Sequence, residues 1–169
     1  SYISKKYYLP LKVTIADTGI HFRHTDYIRE EMWSKFRLNV CNNLPQAILG
    51  AGVGCYRDSI HMKAISEGLR QELEAVAAAK GIDISKAAAS SSHGSAVPPF
   101  ARYSTLQDLD AGRHTEIDMF SGALIRMGKE SGIPTPYNEY TYHMIKALEE
   151  KNDGLFDYEG KTEESTWSK

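Results

Sequence analysis

Apolar residues recur at intervals of three and four positions along most of this chain, which is the spacing of amphipathic α-helices. In the first long stretch the recurring apolar residues are Ile28, Met32, Phe36 and Val40. Asp26 stands where an N-cap belongs, and Pro45 should bend or end the helix because proline lacks a backbone N–H. The pattern therefore predicts a buried helix of about 18 residues that is apolar on most sides.

Later stretches carry the start and stop signals of further helices. The predicted spans are residues 60–80, 104–111, 115–131 and 136–150. Ser104 and Gln107 have the spacing of a capping box, with the serine as N-cap and the glutamine at the third helical position. Only residues 20–23 alternate like a strand. The sequence therefore predicts an all-α fold with at most one short N-terminal strand.

Composition and charge narrow the class of protein. The chain has 169 residues, 41% of them hydrophobic, which suits a single globular domain. A net charge of −2 argues against a nucleic-acid partner, which would need a basic surface. No apolar run approaches a membrane span. Two cysteines cannot form a disulfide framework, so we expect a reduced, cytoplasmic protein.

A row of polar residues interrupts the first helix, where Lys35, Asn39 and Asn43 stand four positions apart. At helical spacing they form one slightly drifting line on an otherwise apolar helix. One interpretation is a solvent-exposed stripe, since exposed lysine and asparagine are common. The other is a row that faces a ligand, because asparagine is unfavourable inside helices and buried polar groups need partners.

The segment from Ser104 to Glu116 is the most polar stretch in the predicted helical part. Helix capping and favourable placement of acidic groups near helix N-termini would explain it structurally. A helix N-terminus is also a suitable site for an anionic substrate, so a binding role stays open.

Two weaker patterns, a glycine-containing segment and the histidines, have simpler structural explanations than a binding site. The glycines at positions 50, 52 and 54 suggest a nucleotide-binding loop, but the third glycine of that fingerprint is replaced by Cys55. A turn between helices is the simpler interpretation, and a phosphate contact is the alternative. The histidines lack metal-ligand spacing, so no metal site is predicted.

Taken together, WSKFRLNVCNNLP at residues 33–45, STLQDLDAGRHTEID at 104–118 and GIPTPYN at 132–138 resemble the ketopantoate reductase (2-dehydropantoate 2-reductase) family. The family is similar in plan to 6-phosphogluconate dehydrogenases: a Rossmann domain binds NADPH, and a helical C-terminal domain supplies most of the substrate site. The resemblance implies that Lys35 and Glu116 are catalytic, the lysine protonating the carbonyl oxygen and the glutamate bonding the substrate hydroxyl. It implies that Asn39, Asn43 and Ser104 bind the keto acid.

The resemblance also implies a domain organisation. Residues 1–25 would be the linker or end of the cofactor domain, 26–151 the helical substrate-binding domain, and 152–169 a polar tail. The cofactor fingerprint is absent, so we expect no cofactor-binding residues here, a Rossmann domain in cis, and no activity from this chain alone. A homodimer is expected. The implied reaction is reduction of ketopantoate to pantoate in pantothenate biosynthesis; a different 2-keto acid, or a non-catalytic helical dimerisation or binding module, are the alternatives.

Overall fold

A computed structural model describes residues 25–87 and 97–156, and the regular elements among them are helices, with no β-strand. The all-α prediction is confirmed, while the predicted strand at residues 20–23 lies outside the described residues. So do almost all of the predicted linker and most of the polar tail. The elements in chain order are α1 (Ile28–Leu38), a π-helical turn (Asn39–Asn43), α2 (Leu44–Leu49), α3 (Cys55–Asp58), α4 (Ile60–Ala79), a 3-10 turn (Ile84–Lys86), α5 (Ser104–Asp110), α6 (Ser121–Ser131) and α7 (Pro136–Asn152).

The first helix continues past Pro45, so this proline does not end the helix, which was one of the two outcomes predicted for it. The chain winds from α1 through the π turn into α2, which ends at Gly50 in the left-handed conformation. Within the π turn the N–H of Leu44 bonds to the carbonyl of Asn39, five residues back. Proline disrupts an α-helix by displacing the carbonyl four residues before it. Here the hydrogen-bond register has already widened, and Pro45 falls in the first turn of α2, where proline is tolerated.

The core lies around the π turn and α2, which pack against α4, α5 and α7. Its fully buried members include Val40, Leu44, Leu69, Leu73, Leu124 and Ile145. The expected burial of the whole first helix is wrong for its N-terminal half. Ile28 is 43% exposed and Met32 is 67% exposed, because among the described elements α1 packs mainly on α4 and the 3-10 turn before the chain enters the core.

Two helices begin at other residues than predicted. Ser104 is the first residue of α5 and not its N-cap; the cap position is Tyr103, and the side chain of Gln107 donates instead to the carbonyl of Arg102. The helix predicted from Thr115 begins at Ser121. The cap of α4 is local: Ser59 accepts a hydrogen bond from the N–H of Met62 at 3.2 Å.

Within the described ranges, every helix is too short or too polar to cross a lipid bilayer.

Candidate active site

The polar row occupies the transition from the surface to the core. Lys35 is exposed on the last turn of α1, Asn39 is half-buried, and Asn43 is only 5% exposed. The side-chain amide of Asn43 donates to Oδ1 of Asn39 at 3.1 Å. The row thus leads from an accessible ammonium group to a buried amide.

The π turn changes how this row is aligned. In an α-helix four residues advance about 400°, so Lys35 and Asn39 are offset by roughly 40°. A turn closed by a bond to the fifth residue back holds more residues, so four positions advance less than in an α-helix. The step from Asn39 to Asn43 therefore limits the drift of the row. Such single π turns are frequent at functional sites.

Asn43 carries an unsatisfied polar atom. Its Oδ1 is the one buried side-chain nitrogen or oxygen in the described part of the chain that has no hydrogen-bond partner. Burying an amide oxygen without a partner is unfavourable, and such exceptions call for an explanation. A donor supplied by a bound molecule would provide one.

Ser104 is connected to the row through Gln46, which lies one turn after Asn43 and is fully buried. The amide of Gln46 donates to the carbonyl of Ala101 at 2.9 Å and accepts from the N–H of Tyr103 at 2.8 Å. The side chain of Ser104 is itself exposed at the start of α5.

Glu116 lies in an irregular turn and is exposed, and the residue before it, Thr115, is held by a buried carboxylate. Oε1 of Glu149, on the last turns of α7, accepts hydrogen bonds from both the N–H and the hydroxyl of Thr115, each at 2.7 Å. Lys146 donates to the other oxygen at 2.9 Å. Burial by itself would raise the pKa of Glu149, but these hydrogen bonds outweigh it and hold the pKa below its usual value.

The structure joins some of the predicted site residues and leaves others apart. Asn39 and Asn43 are hydrogen-bonded, whereas no hydrogen bond between described residues links the side chains of Ser104 or Glu116 to the row. Sequence reasoning missed Gln46 and Glu149. The signal for Gln46 was a glutamine inside an otherwise apolar turn. For Glu149 it was an acidic residue near a helix C-terminus, where the helix dipole disfavours negative charge.

The glycine-containing loop is a packed turn. The N–H groups of Val53 and Gly54 donate to the carbonyls of Ala101 and Pro99, at 2.9 and 2.8 Å. Gly52 lies so close to this segment that a Cβ atom there would overlap the Pro99 carbonyl. Because these two amides are already bonded, they are not available to the phosphates of a nicotinamide cofactor. No cluster of metal-ligating side chains occurs within residues 25–87 and 97–156.

A shallow cleft of about 300 Å³ lies beside the face of α1 that carries Arg37, and none of the predicted site residues lines it. It is lined mainly by Arg37, Glu74 and residues 82–85. Arg37 is two residues after Lys35, which places it about 200° around the helix from Lys35.

Burial raises the pKa of the Cys41 thiol to about 12, so this cysteine is not a nucleophile at neutral pH.

Comparisons with known proteins agree with this architecture. The model of the family described as "Ketopantoate reductase PanE/ApbA C terminal" matches residues 27–149. A 2-dehydropantoate 2-reductase of Pyrobaculum aerophilum is 30% identical over 156 residues, covering 84% of this chain and 53% of that protein. The Aquifex aeolicus enzyme of the same name is 27% identical over 153 residues, covering 87% and 49%. The chain spans about half the length of these relatives.

Two known structures share the fold. A PanE/ApbA family ketopantoate reductase from Ralstonia eutropha JMP134 superposes with a TM-score of 0.75 at 27% identity, covering 87% of this chain and 50% of that one. A D-mandelate dehydrogenase, determined with NADH and anilino(oxo)acetate, gives a TM-score of 0.72 at 22% identity, covering 85% and 61%. From the family match and the likeness to the Pyrobaculum enzyme, this chain belongs to the ketopantoate reductase family and corresponds to its C-terminal domain.

Proposed function

We propose that this chain is the substrate-binding and catalytic domain of an NADPH-dependent 2-dehydropantoate 2-reductase, which reduces ketopantoate to pantoate in pantothenate biosynthesis. The observation that carries the proposal is the buried, unpartnered Oδ1 of Asn43, which ends a row that begins at the exposed Lys35. Ketopantoate offers a ketone to the ammonium group at the start of this row and a hydroxyl donor to the carboxylate of Glu116. The relatives that match over most of this chain carry the same enzyme name.

The chemistry assigned to each residue follows from charge. Adding hydride to a ketone places negative charge on the oxygen, and Lys35 would stabilise that charge and supply the proton that completes the alcohol. Asn39 and Asn43 would orient the keto acid. Ser104 would hold the substrate from the other side, and Glu116 would bind its hydroxyl.

NADPH would supply the hydride in this reaction, and a Rossmann domain would hold most of it. The domain division follows from this: residues 26–151 would bind substrate, residues 1–25 would lead from a Rossmann domain in the same polypeptide, and residues 152–169 would be a tail. The chain alone is then expected to be inactive. We also propose a cytoplasmic location, consistent with two cysteines that are both free thiols.

The decisive experiment compares the 169-residue chain with the protein translated from its whole reading frame. Both are assayed with ketopantoate and NADPH, following absorbance of the cofactor. We expect turnover only from the longer protein, and we expect Lys35→Ala to reduce its kcat by at least about a hundredfold. Lys63→Ala, which changes an exposed lysine on α4, is the matched control. Near-normal turnover by Lys35→Ala would refute the catalytic assignment.

The same assay distinguishes the proposed function from two alternatives. D-mandelate dehydrogenase shares the fold, so the fold alone does not choose the 2-keto acid, and activity on another 2-keto acid in preference to ketopantoate would identify that substrate. A non-catalytic helical module would consume no NADPH with any keto acid in either form of the protein.

A homodimer is part of the proposal. One ketopantoate reductase of this fold, from Staphylococcus aureus, is described as dimeric. Several large apolar side chains of this chain are exposed, among them Met32, Ile60, Phe100 and Met119. Light scattering of the whole protein should give twice the monomer mass; a monomer at micromolar concentration would contradict this part.

A further inference from the structure

We propose that Gln46 is a positioning residue that fixes Ser104 relative to Asn43, so that the two sides of the substrate site keep one spacing. The inference rests on the proposed function, because only there do Asn43 and Ser104 both contact the substrate. It concerns a residue that would touch neither substrate nor cofactor.

The path from one side to the other is short and rigid. Asn43 ends the π turn, and Gln46 lies three residues later in α2. From there the side-chain amide reaches Ala101 and Tyr103, and Ser104 directly follows Tyr103. Each step is a helical turn, a hydrogen bond of 2.8–2.9 Å or one peptide unit.

The two hydrogen bonds of Gln46 fix direction as well as distance. One goes from Nε2 to the carbonyl of Ala101 and the other from the N–H of Tyr103 to Oε1. Binding two backbone groups two residues apart restrains both the translation and the rotation of the segment that enters α5. A single hydrogen bond, or an apolar contact, would restrain the translation and rotation of this segment less strongly.

The other anchors of this segment do not come from the polar row. Ala101 and Pro99 also accept hydrogen bonds from Val53 and Gly54, which belong to the loop after α2. Those bonds fix the segment to the loop, whereas Gln46 fixes it to the helix that carries Asn43. Gln46 is fully buried, and both halves of its amide are paired, so its burial is compatible with stability.

The test is a double-mutant cycle in the protein translated from the whole reading frame. Gln46→Met keeps the length of the side chain and removes both hydrogen bonds. Tyr103→Pro removes the aromatic ring and the N–H that donates to Oε1 of Gln46, but it leaves the hydrogen bond from Gln46 to Ala101, and the φ of Tyr103, −76°, suits proline. Tyr103→Ala is its matched control, because it removes the ring and keeps that N–H. Each is combined with Ser104→Ala, and the KM and Kd for ketopantoate are measured.

We expect Gln46→Met and Tyr103→Pro to raise KM by at least about tenfold, with a smaller change in kcat, and Tyr103→Ala to change it much less. Once Ser104→Ala has removed the hydroxyl, misplacing residue 104 should raise the KM no further. The double variants should then match Ser104→Ala alone. If Gln46→Met does not fold, the Tyr103→Pro and Tyr103→Ala pair carries the test.

Four results would overturn the inference, and they differ in what else they refute. Additive effects of Gln46→Met and Ser104→Ala, or an unchanged KM in Gln46→Met and Tyr103→Pro, would refute the positioning role while leaving the proposed function intact. A normal KM in Ser104→Ala would refute the substrate role of Ser104, and the inference with it. Failure of the unmodified protein to bind any keto acid would refute the proposed function itself.

Discussion

Glu149 and Thr115 are joined by two hydrogen bonds, from the N–H and the hydroxyl of Thr115 to the same carboxylate oxygen, each 2.7 Å long. The carboxylate is almost fully buried, with 2% of the side chain exposed. It comes from α7 and holds the residue directly before Glu116. The turn that carries Glu116 is therefore fixed by a helix far away in the sequence, although Glu116 itself is exposed.

Replacing Glu149 should destabilise the chain in a pH-dependent way. Its hydrogen bonds hold its pKa below the usual value, so the stabilisation is complete above the unfolded pKa of about 4.3 and is lost as pH falls through the folded pKa. At pH ~7, Glu149→Ala should lower the free energy of unfolding by about 2–3 kcal/mol, and Glu149→Gln by less. Urea unfolding followed by circular dichroism at pH ~7 and ~3 measures this difference.

Glu150→Gln is the control for that series, because Glu150 is the exposed neighbour of Glu149 on the same helix. It should change stability little at either pH. A Glu149→Ala deficit that stayed constant on acidification would show that the charge of this carboxylate contributes nothing.

Two buried asparagines should respond very differently to truncation. The amide of Asn138 is fully paired, donating to Glu72 at 2.7 Å and accepting from Ser121 at 3.0 Å. Asn43 donates one hydrogen bond and has an oxygen without a partner. We expect Asn138→Ala to cost about 2–3 kcal/mol and Asn43→Ala less than about 1 kcal/mol. Equal losses in chemical denaturation of the 169-residue chain would mean that Asn43 is held for structural reasons.

Replacing either of two glycines in one loop by alanine should lower stability, for a different reason at each position. A Cβ on Gly52 would lie 2.7 Å from Cα of Phe100 and would overlap the carbonyl of Pro99, so Gly52→Ala should cost about 2 kcal/mol or more. Gly50 has a φ of +69° and no neighbour within 4 Å, so Gly50→Ala should cost only about 1 kcal/mol of backbone strain. Gly50→Asn should be nearly neutral, because asparagine adopts this conformation readily. Thermal or urea unfolding ranks the three variants, and a neutral Gly52→Ala would contradict the close packing.

Local interactions along the chain account for the features that were predictable. Apolar periodicity identified an all-helical protein, and Ser59 caps α4 because its partner is only three residues away. The spacing of Lys35, Asn39 and Asn43 identified the polar row for the same reason. The site roles of these residues, of Ser104 and of Glu116 stay predictions until the variants are assayed.

Contacts between distant segments account for what was not predictable. The π turn moves Pro45 into a position where the helix continues, and that turn forms where the helix enters the core. The start of α7 is capped by Glu72, whose carboxylate accepts from the N–H groups of Tyr137 and Asn138. Gln46 likewise accepts a hydrogen bond from the backbone N–H of a residue far from it in the sequence, Tyr103. Propensity and periodicity describe neighbours in the chain, so the sequence determined the helices and the row, and only tertiary packing decided which buried groups are paired and which oxygen is left without a partner.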